Sequence, residues 1–353
     1  SEGIVDAKGG ITIGDLKLVA PKSAVASFEF KLKDQNTDLA FHYSVDYAPS
    51  GLDPNSKAVG EAVNTIQAAG STDDFNSTAA LIFAQETTGD LNKLYRQLSG
   101  ATSAVFPQVS LSTGQAFQQE VNESMDSAVL SQLQRCILQV QSLKTGESYS
   151  GDPADCGKWR TWVNAGGSDA NTPGSGSSNQ VGYSTNAFNT SVGADALVGD
   201  NTLVGIAGRF DNLWTTTTEP TNFGKTEGWS GMLYAKQRLG SDTWLTGSVG
   251  GGGFVTDTTR QVKIPGYSST EEGTSNSSAI GGSLRLSHQI STGEQGSLTP
   301  SLGLSWLQLN QGQYSESTTS NNRAYVQPGN PLVKTDDPGK ASYSLTYESA
   351  TYN

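Results

Sequence analysis

From residue 157 onward, apolar and polar residues alternate with a period of two, and strands built that way need one apolar and one polar surrounding. Seven complete runs follow one another: KWRTWVNAGGSDA (158–170), NAFNTSVGADALVG (186–199), NTLVGIAGRFDNLW (201–214), EGWSGMLYAKQRLG (227–240), DTWLTGSVGGGGFV (242–255), SSAIGGSLRLSHQI (277–290) and SLTPSLGLSWLQLN (297–310). A partial eighth, ASYSLTYESATYN, covers 341–353. Tight turns such as Val198-Gly199-Asp200-Asn201 and Leu239-Gly240-Ser241-Asp242 alternate with Ser/Thr/Asn-rich connections such as Gly266 to Ser277. Short turns at one end and long polar loops at the other describe an up-and-down antiparallel meander.

The two faces of these strands differ. Val192, Ala194, Ala196 and Val198 oppose Ser191, Gly193 and Asp195, and Val204, Ile206 and Phe210 oppose Arg209 and Asp211. Ile280, Leu284 and Leu286 oppose Ser283, Arg285 and Ser287, and Leu298, Leu302, Leu304 and Trp306 share a face. A soluble β-sandwich would alternate in the same way. Three features favour a transmembrane β-barrel instead. The strands run about 10 residues or more, where soluble strands average about 5–6. The apolar faces carry almost no charge. Tryptophans 159, 214, 229, 244 and 306 gather towards strand ends, as an interfacial girdle requires. On this reading Val204, Ile206, Leu284, Leu286 and Leu302 face lipid, while Arg209, Asp211 and Arg285 line the lumen.

Composition removes other classes. With 22 Lys+Arg against 34 Asp+Glu and a formal charge of -12, the chain offers no basic patch for nucleic acid. No apolar run reaches the roughly 18–20 residues of a membrane-spanning helix, and no signal peptide is visible after Ser1. Cys136 and Cys156 are the whole thiol complement. Their short separation suits a local disulfide and an oxidising compartment, the other reading being two unrelated buried thiols.

The N-terminal half is organised differently. Residues 1–50 read as short strands (GITIGDLKLVA, SAVASFEFKLK, DLAFHYSVDY), and residues 51–156 as helices. Val59, Ala62, Val63 and Ile66 share a helical face, with Asn55 or Ser56 as N-cap and Gly70 as terminator. Leu91, Leu94, Tyr95 and Leu98 form a second face, closed by Ser99-Gly100. Ser112 and Gln115 have the spacing of a capping box, and Met125, Val129, Leu133, Cys136, Ile137 and Val140 form an apolar stripe.

Chemistry is sparse. His42 and His288 lack ligand-spaced partners, Gly250 to Gly253 precede no Lys-Ser/Thr, and Asp73-Asp74 and Asp336-Asp337 lack calcium-loop spacing. No serine sits in a nucleophile elbow. No catalytic, cofactor-binding or metal site is assigned, so no enzyme and no cofactor is expected.

The segments LYRQLSGATSAVFPQVSLSTGQAFQQEV (94–121), WRTWVNAGGS (159–168), VGADALVGDNTLVGIAGRF (192–210), GWSGMLYAKQRLGSDTWLTGSVGGGG (228–253) and SLTPSLGLSWLQLNQGQYSES (297–317), in this order, resemble a type V secretion autotransporter. The resemblance implies a passenger β-helix ending within residues 1–50 and a helical linker over 51–156 whose last helix lies in the pore. It implies an outer-membrane barrel from 157 to 353 that anchors and exports the passenger to the bacterial cell surface. The implied partners are outer-membrane lipid, the barrel assembly machinery and the chain's own passenger. Family barrels have twelve strands and a terminal aromatic, so the runs counted here imply a partial barrel, about four strands short. The Asn-Asn pair at which some members release their passenger is absent from the helical region, where Asn92 and Asn122 stand apart; Asn321-Asn322 lies in a late loop. The alternative is a surface or outer-membrane β protein that binds a partner through its long loops.

Overall fold

The structure, a computed structural model, describes residues 2–6, 9–11, 20–33, 36–70, 73–145, 159–175, 180–199, 201–218, 221–264, 267–292, 297–325, 333–334, 346–347 and 350–352. Strands β1 (Glu2–Asp6), β2 (Ala26–Lys33) and β3 (Asp38–Val45) form an antiparallel sheet in the order β1-β3-β2. Only residues 34–37 join β2 to β3, and so short a connection allows only an antiparallel return. These pairs are therefore not rungs of a parallel β-helix, as the family resemblance implied.

Three helices pack beside this sheet. In α1 (Pro54–Ala68), Asp53 is the N-cap: its carboxylate accepts the Ser56 N–H at 2.9 Å, and Pro54 sits in the first turn, where no N–H is missed. The expected caps Asn55 and Ser56 lie inside the helix because Pro54 has already set its start. Gly70 ends it at φ 97°. After α2 (Asp73–Phe83), α3 (Thr88–Leu98) starts at Thr87, whose hydroxyl accepts the Asp90 N–H. Val25, Tyr47, Val63, Ile82, Leu91, Leu94 and Tyr95 make one buried core, and the Tyr95 hydroxyl donates to the Tyr47 carbonyl at 2.7 Å. Residues on both sides of position 50 thus share a core.

Gly100, at φ 62°, turns the chain into a short 3-10 segment, from which the 41-residue α4 (Val105–Thr145) runs unbroken. Ser112 and Gln115 consequently lie in its interior rather than at a start. The Ser112 and Thr113 hydroxyls donate back to the Val109 carbonyl at 2.7 and 3.0 Å.

The C-terminal half is an antiparallel meander of β4 (Trp159–Thr172), β5 (Tyr183–Val198), β6 (Thr202–Thr217), β7 (Asn222–Arg238), β8 (Thr243–Ile264) and β9 (Tyr267–His288). A small pair, β10 (Ile290–Ser291) and β11 (Ser297–Leu298), leads into β12 (Ser301–Gln311) and β13 (Tyr314–Tyr325). Both of these pair with β9, β12 along its last half and β13 along its first. The register slips by one residue around Gly312, so they act as a single long strand carrying a bulge. Beyond them lie β14 (Val333–Lys334), β15 (Thr346–Tyr347) and β16 (Ala350–Tyr352); β16 pairs with β12 and β15 with β13. Among the described residues the outer edge of β4 has no strand partner, so the sheet is a partial barrel.

Two expectations about the strands change. Residues 267–277, anticipated as part of a long loop, are strand: β8 and β9 run 22 residues each. Their hydroxyl-rich side chains find partners across and along the sheet, as where Thr274 donates to Asp257 at 2.7 Å and Thr258 shares a 2.7 Å hydrogen bond with Tyr314. Because β7 is so long, Trp229 falls in mid-strand rather than at an end, and Trp244 stacks on the Lys236 ammonium instead of pointing outward. The Cys136–Cys156 pairing lies outside the described residues.

Candidate functional site: a helix-filled lumen

Alternation sorts the barrel wall into two faces. On β6 the odd-numbered residues Leu203, Ala207, Arg209, Asp211, Leu213, Thr215 and Thr217 are buried, while Val204, Ile206, Phe210 and Trp214 are exposed. On β7 and β8 the even-numbered residues are the buried set, among them Met232, Tyr234, Lys236, Thr246, Phe254, Thr256 and Arg260. What buries this face is α4. Arg160 of β4, Arg209 of β6, Lys236 of β7, Arg285 of β9 and the Trp306 carbonyl of β12 all touch it. A single helix reached by both the first and the seventh strand requires a sheet that curves around it.

The geometry agrees with a barrel. Phe106 lies over Gly224 near the start of β7, and Asp126 meets Lys236 near its end. The helix covers about 30 Å between those residues, while the strand covers about 40 Å. The two paths match if the strand is tilted by about 40° to the helix axis, within the range of closed barrels. α4 therefore descends along the lumen from the 218–221 end to the end with the 239–242 turn.

The contact is apolar at its centre and ionic around it. Phe117, Val121, Met125 and Ala128 pack with Leu203, Ala207, Met232 and Tyr234. Glu120 accepts from Arg209 at 2.8 Å and from Asn164 at 2.9 Å, and Arg209 also reaches Asp211 at 2.8 Å. Asp126 takes Lys236 at 2.6 Å and Arg285 at 2.7 Å. Arg160 binds Asp195 at 2.7 Å and donates to the carbonyl and hydroxyl of Ser124, both at 2.9 Å. The helix supplies carboxylates and the wall supplies cations. Breaking one partner out of such a buried pair costs about 3–5 kcal/mol.

Glycines make room for this packing. A Cβ at Gly205 would stand 2.3 Å from the Tyr234 ring, and one at Gly193 would stand 2.2 Å from the Trp162 indole. Each ring lies flat across the neighbouring strand because the glycine presents only backbone. The two are joined, the Trp162 indole N–H donating to the Tyr234 hydroxyl at 3.0 Å and that hydroxyl donating to Asp195 at 2.9 Å.

At the far end of the strands, α3 is fastened to the wall. Arg260, ion-paired with the buried Glu316, donates to the Gln97 carbonyl at 2.7 Å, and the Lys263 N–H donates to the Gln97 side chain at 2.6 Å. Asn222 bonds the Thr102 hydroxyl just before α4.

Of the site residues read from the sequence, Arg209 and Asp211 are buried and Arg285 is partly buried, all facing α4. Val204, Ile206, Leu284, Leu286 and Leu302 lie on the opposite face, Ile206 at 58% and Leu302 at 80% exposure. The sequence did not single out Glu120, Asp126, Arg160 or Lys236. Lys236 shares the parity of Met232 and Tyr234, which would have marked it as inward.

Residues 161–327 match the family model described as autotransporter beta-domain. The chain carries an autotransporter β-domain. This domain is an outer-membrane translocator for export of a passenger. Among solved structures, the chain is similar to the translocator domain of autotransporter NalP from Neisseria meningitidis, at 13% identity over 67% of this chain and 95% of that one, with a TM-score of 0.28. No curated protein sequence matches. Among the described residues no helix is long and apolar enough to cross a membrane, which leaves strand crossing open.

Proposed function

We propose that the outward apolar face of this autotransporter β-domain meets outer-membrane lipid through Val204, Ile206, Leu284, Leu286 and Leu302. Arg209, Asp211 and Arg285 then line the lumen that the passenger crosses. Residues 1–50 belong to the end of that passenger, 51–156 form the junction including the lumen helix, and 157–353 form the barrel that the barrel assembly machinery inserts. The domain moves and anchors protein without catalysing a reaction of its own.

The observation that carries this reading is α4 threaded along the concave face through charged contacts. An outward apolar band supports it: from Leu245 to Val255 the outward positions of β8 are Leu, Gly or Val, and beyond them come Asp257, Thr259, Gln261 and Lys263. Ten residues of strand tilted by about 40° rise about 25 Å, the height of the apolar band on outer-membrane barrels.

The test compares charges on the two faces. Arg at mid-membrane on a lipid face costs about 2–4 kcal/mol. Ile206→Arg should abolish the heat-modifiable, membrane-assembled form, whereas Ser305→Arg, inward by parity and open to solvent, should assemble. Equal assembly of both would refute the orientation. Ala207→Arg, which strand parity alone would tolerate, fails as a control because Ala207 packs in the α4 cluster.

A further inference from the structure

Among the described residues, five inward-facing cations of the barrel wall pair with carboxylates, whereas Arg238 at the end of β7 bonds the Gly240 and Ser241 carbonyls instead. For three of the five the wall itself supplies the partner: Asp195 for Arg160, Asp211 for Arg209 and Glu316 for Arg260. Lys236 and Arg285 differ. Among the described residues, the only carboxylate within ion-pair distance of either is Asp126 of α4. They also stand in one register row across three strands, since Lys236 of β7 pairs with Thr246 of β8, and Thr246 pairs with Arg285 of β9. Two buried donors in this row have no hydrogen-bond partner among the described residues, the Thr246 hydroxyl, on a residue 1% exposed, and the Arg285 Nε–H. The Trp244 ring lies 5.2 Å from the Lys236 ammonium and holds it against the wall.

A lysine, a hydroxyl and a guanidinium converging from adjacent strands, with donors to spare, is a surface built for an oxyanion. Asp126 satisfies part of it, giving one oxygen to each cation, and is itself 45% exposed. We propose that Lys236, Thr246 and Arg285 form a carboxylate-binding site in the lumen wall, that Asp126 is its resident ligand, and that its seating there fixes the depth at which α4 comes to rest. This rests on the translocator reading above. A polypeptide leaving through the lumen draws α4 behind it. The helix stops where its carboxylate meets two cations that no other carboxylate among the described residues neutralises. Removing Asp126 leaves a lumen with two unmatched positive charges and a vacant seat for carboxylates from solution.

The test uses the full gene product reconstituted in planar lipid bilayers, with acetate as the probe. The wild type should be nearly closed. Asp126→Asn should open about tenfold more often, prefer anions in its reversal potential, and lose current on addition of acetate. Asp126→Asn combined with Lys236→Gln and Arg285→Gln should lose both the anion preference and the acetate effect. Asp126→Glu should remain closed. Heat-modifiable migration of each variant shows whether it has assembled. An assembled Asp126→Asn variant with wild-type conductance would overturn the proposal alone, as would an acetate effect that survives in the triple variant. Failure of every form, wild type included, to insert would overturn the translocator reading and the proposal with it.

Discussion

Replacing Arg209 by Met removes a guanidinium that serves two carboxylates at once. Arg209 is 9% exposed and lies 2.8 Å from both Glu120 of α4 and Asp211 of its own strand. Asp211 is 2% exposed, and its second oxygen already lacks a partner, so without Arg209 it becomes an uncompensated charge in the lumen wall. Removing one partner of a buried pair costs about 3–5 kcal/mol, between two and four decades in the folding equilibrium. Glu120→Gln should cost less, about 1–2 kcal/mol, because Arg209 keeps Asp211 and the new amide can still bond Asn164. Arg209→Met with Asp211→Leu and Glu120→Leu should recover most of the loss, since an apolar replacement of a whole ionic cluster is often neutral. The assay is urea titration of the lipid-reconstituted protein, read as the fraction that migrates folded on unboiled gels. If Arg209→Met unfolds at the same urea concentration as Glu120→Gln, the wall–helix network is not what holds α4.

Asp53 gives a pH dependence to the helical module. Burial alone would raise its pKa, but the Ser56 N–H and hydroxyl and the Arg96 guanidinium outweigh burial and hold it below the usual carboxylate range. Its stabilisation is present above about pH 4, the unfolded value, and is lost as pH falls through the lower folded value; Asp53→Asn keeps the cap and should flatten this acid limb in circular-dichroism melts. Gly205→Ala should destabilise the barrel by about 1–3 kcal/mol by displacing the Tyr234 ring, measured by the same urea titration; an unchanged midpoint would mean that the ring has other room. Cys136 and Cys156 are expected to form one intramolecular disulfide, stabilising by roughly 3 kcal/mol, and mass spectrometry showing two free thiols in the non-reduced protein would exclude it.

Strand parity was legible because alternation acts locally: whether Ile206 or Arg209 meets α4 follows from their neighbours. The extent of β9 was not. The stretch SSTEEGTSNSS (268–278) has a loop's composition, and only the partners offered by β8, β12 and β13 make it a strand. The start of α4 was hidden in the same way, since Gly100 and the following 3-10 turn set it at Val105, seven residues ahead of the apparent capping box at Ser112. The ionic seats were least legible. Glu120 finds Arg209 89 positions away, and Asp126 finds Lys236 and Arg285 at separations of 110 and 159. A single acidic residue on a helix carries no local sign of such partners.

The rim fastening between α3 and β8 determines how a mechanical load would travel. The lumen contacts of α4 lie along its length, but a tug from the cell surface enters through the α1–α3 module. It reaches the Gln97 bonds to Arg260 and Lys263 before it reaches Glu120 or Asp126. The load meets these attachments one after another: two hydrogen bonds at the rim, then the Thr102–Asn222 bond, then the ion pairs deeper in. A brief shear at the cell surface is absorbed by the outermost link, which can break and re-form while the seal in the lumen stays in place.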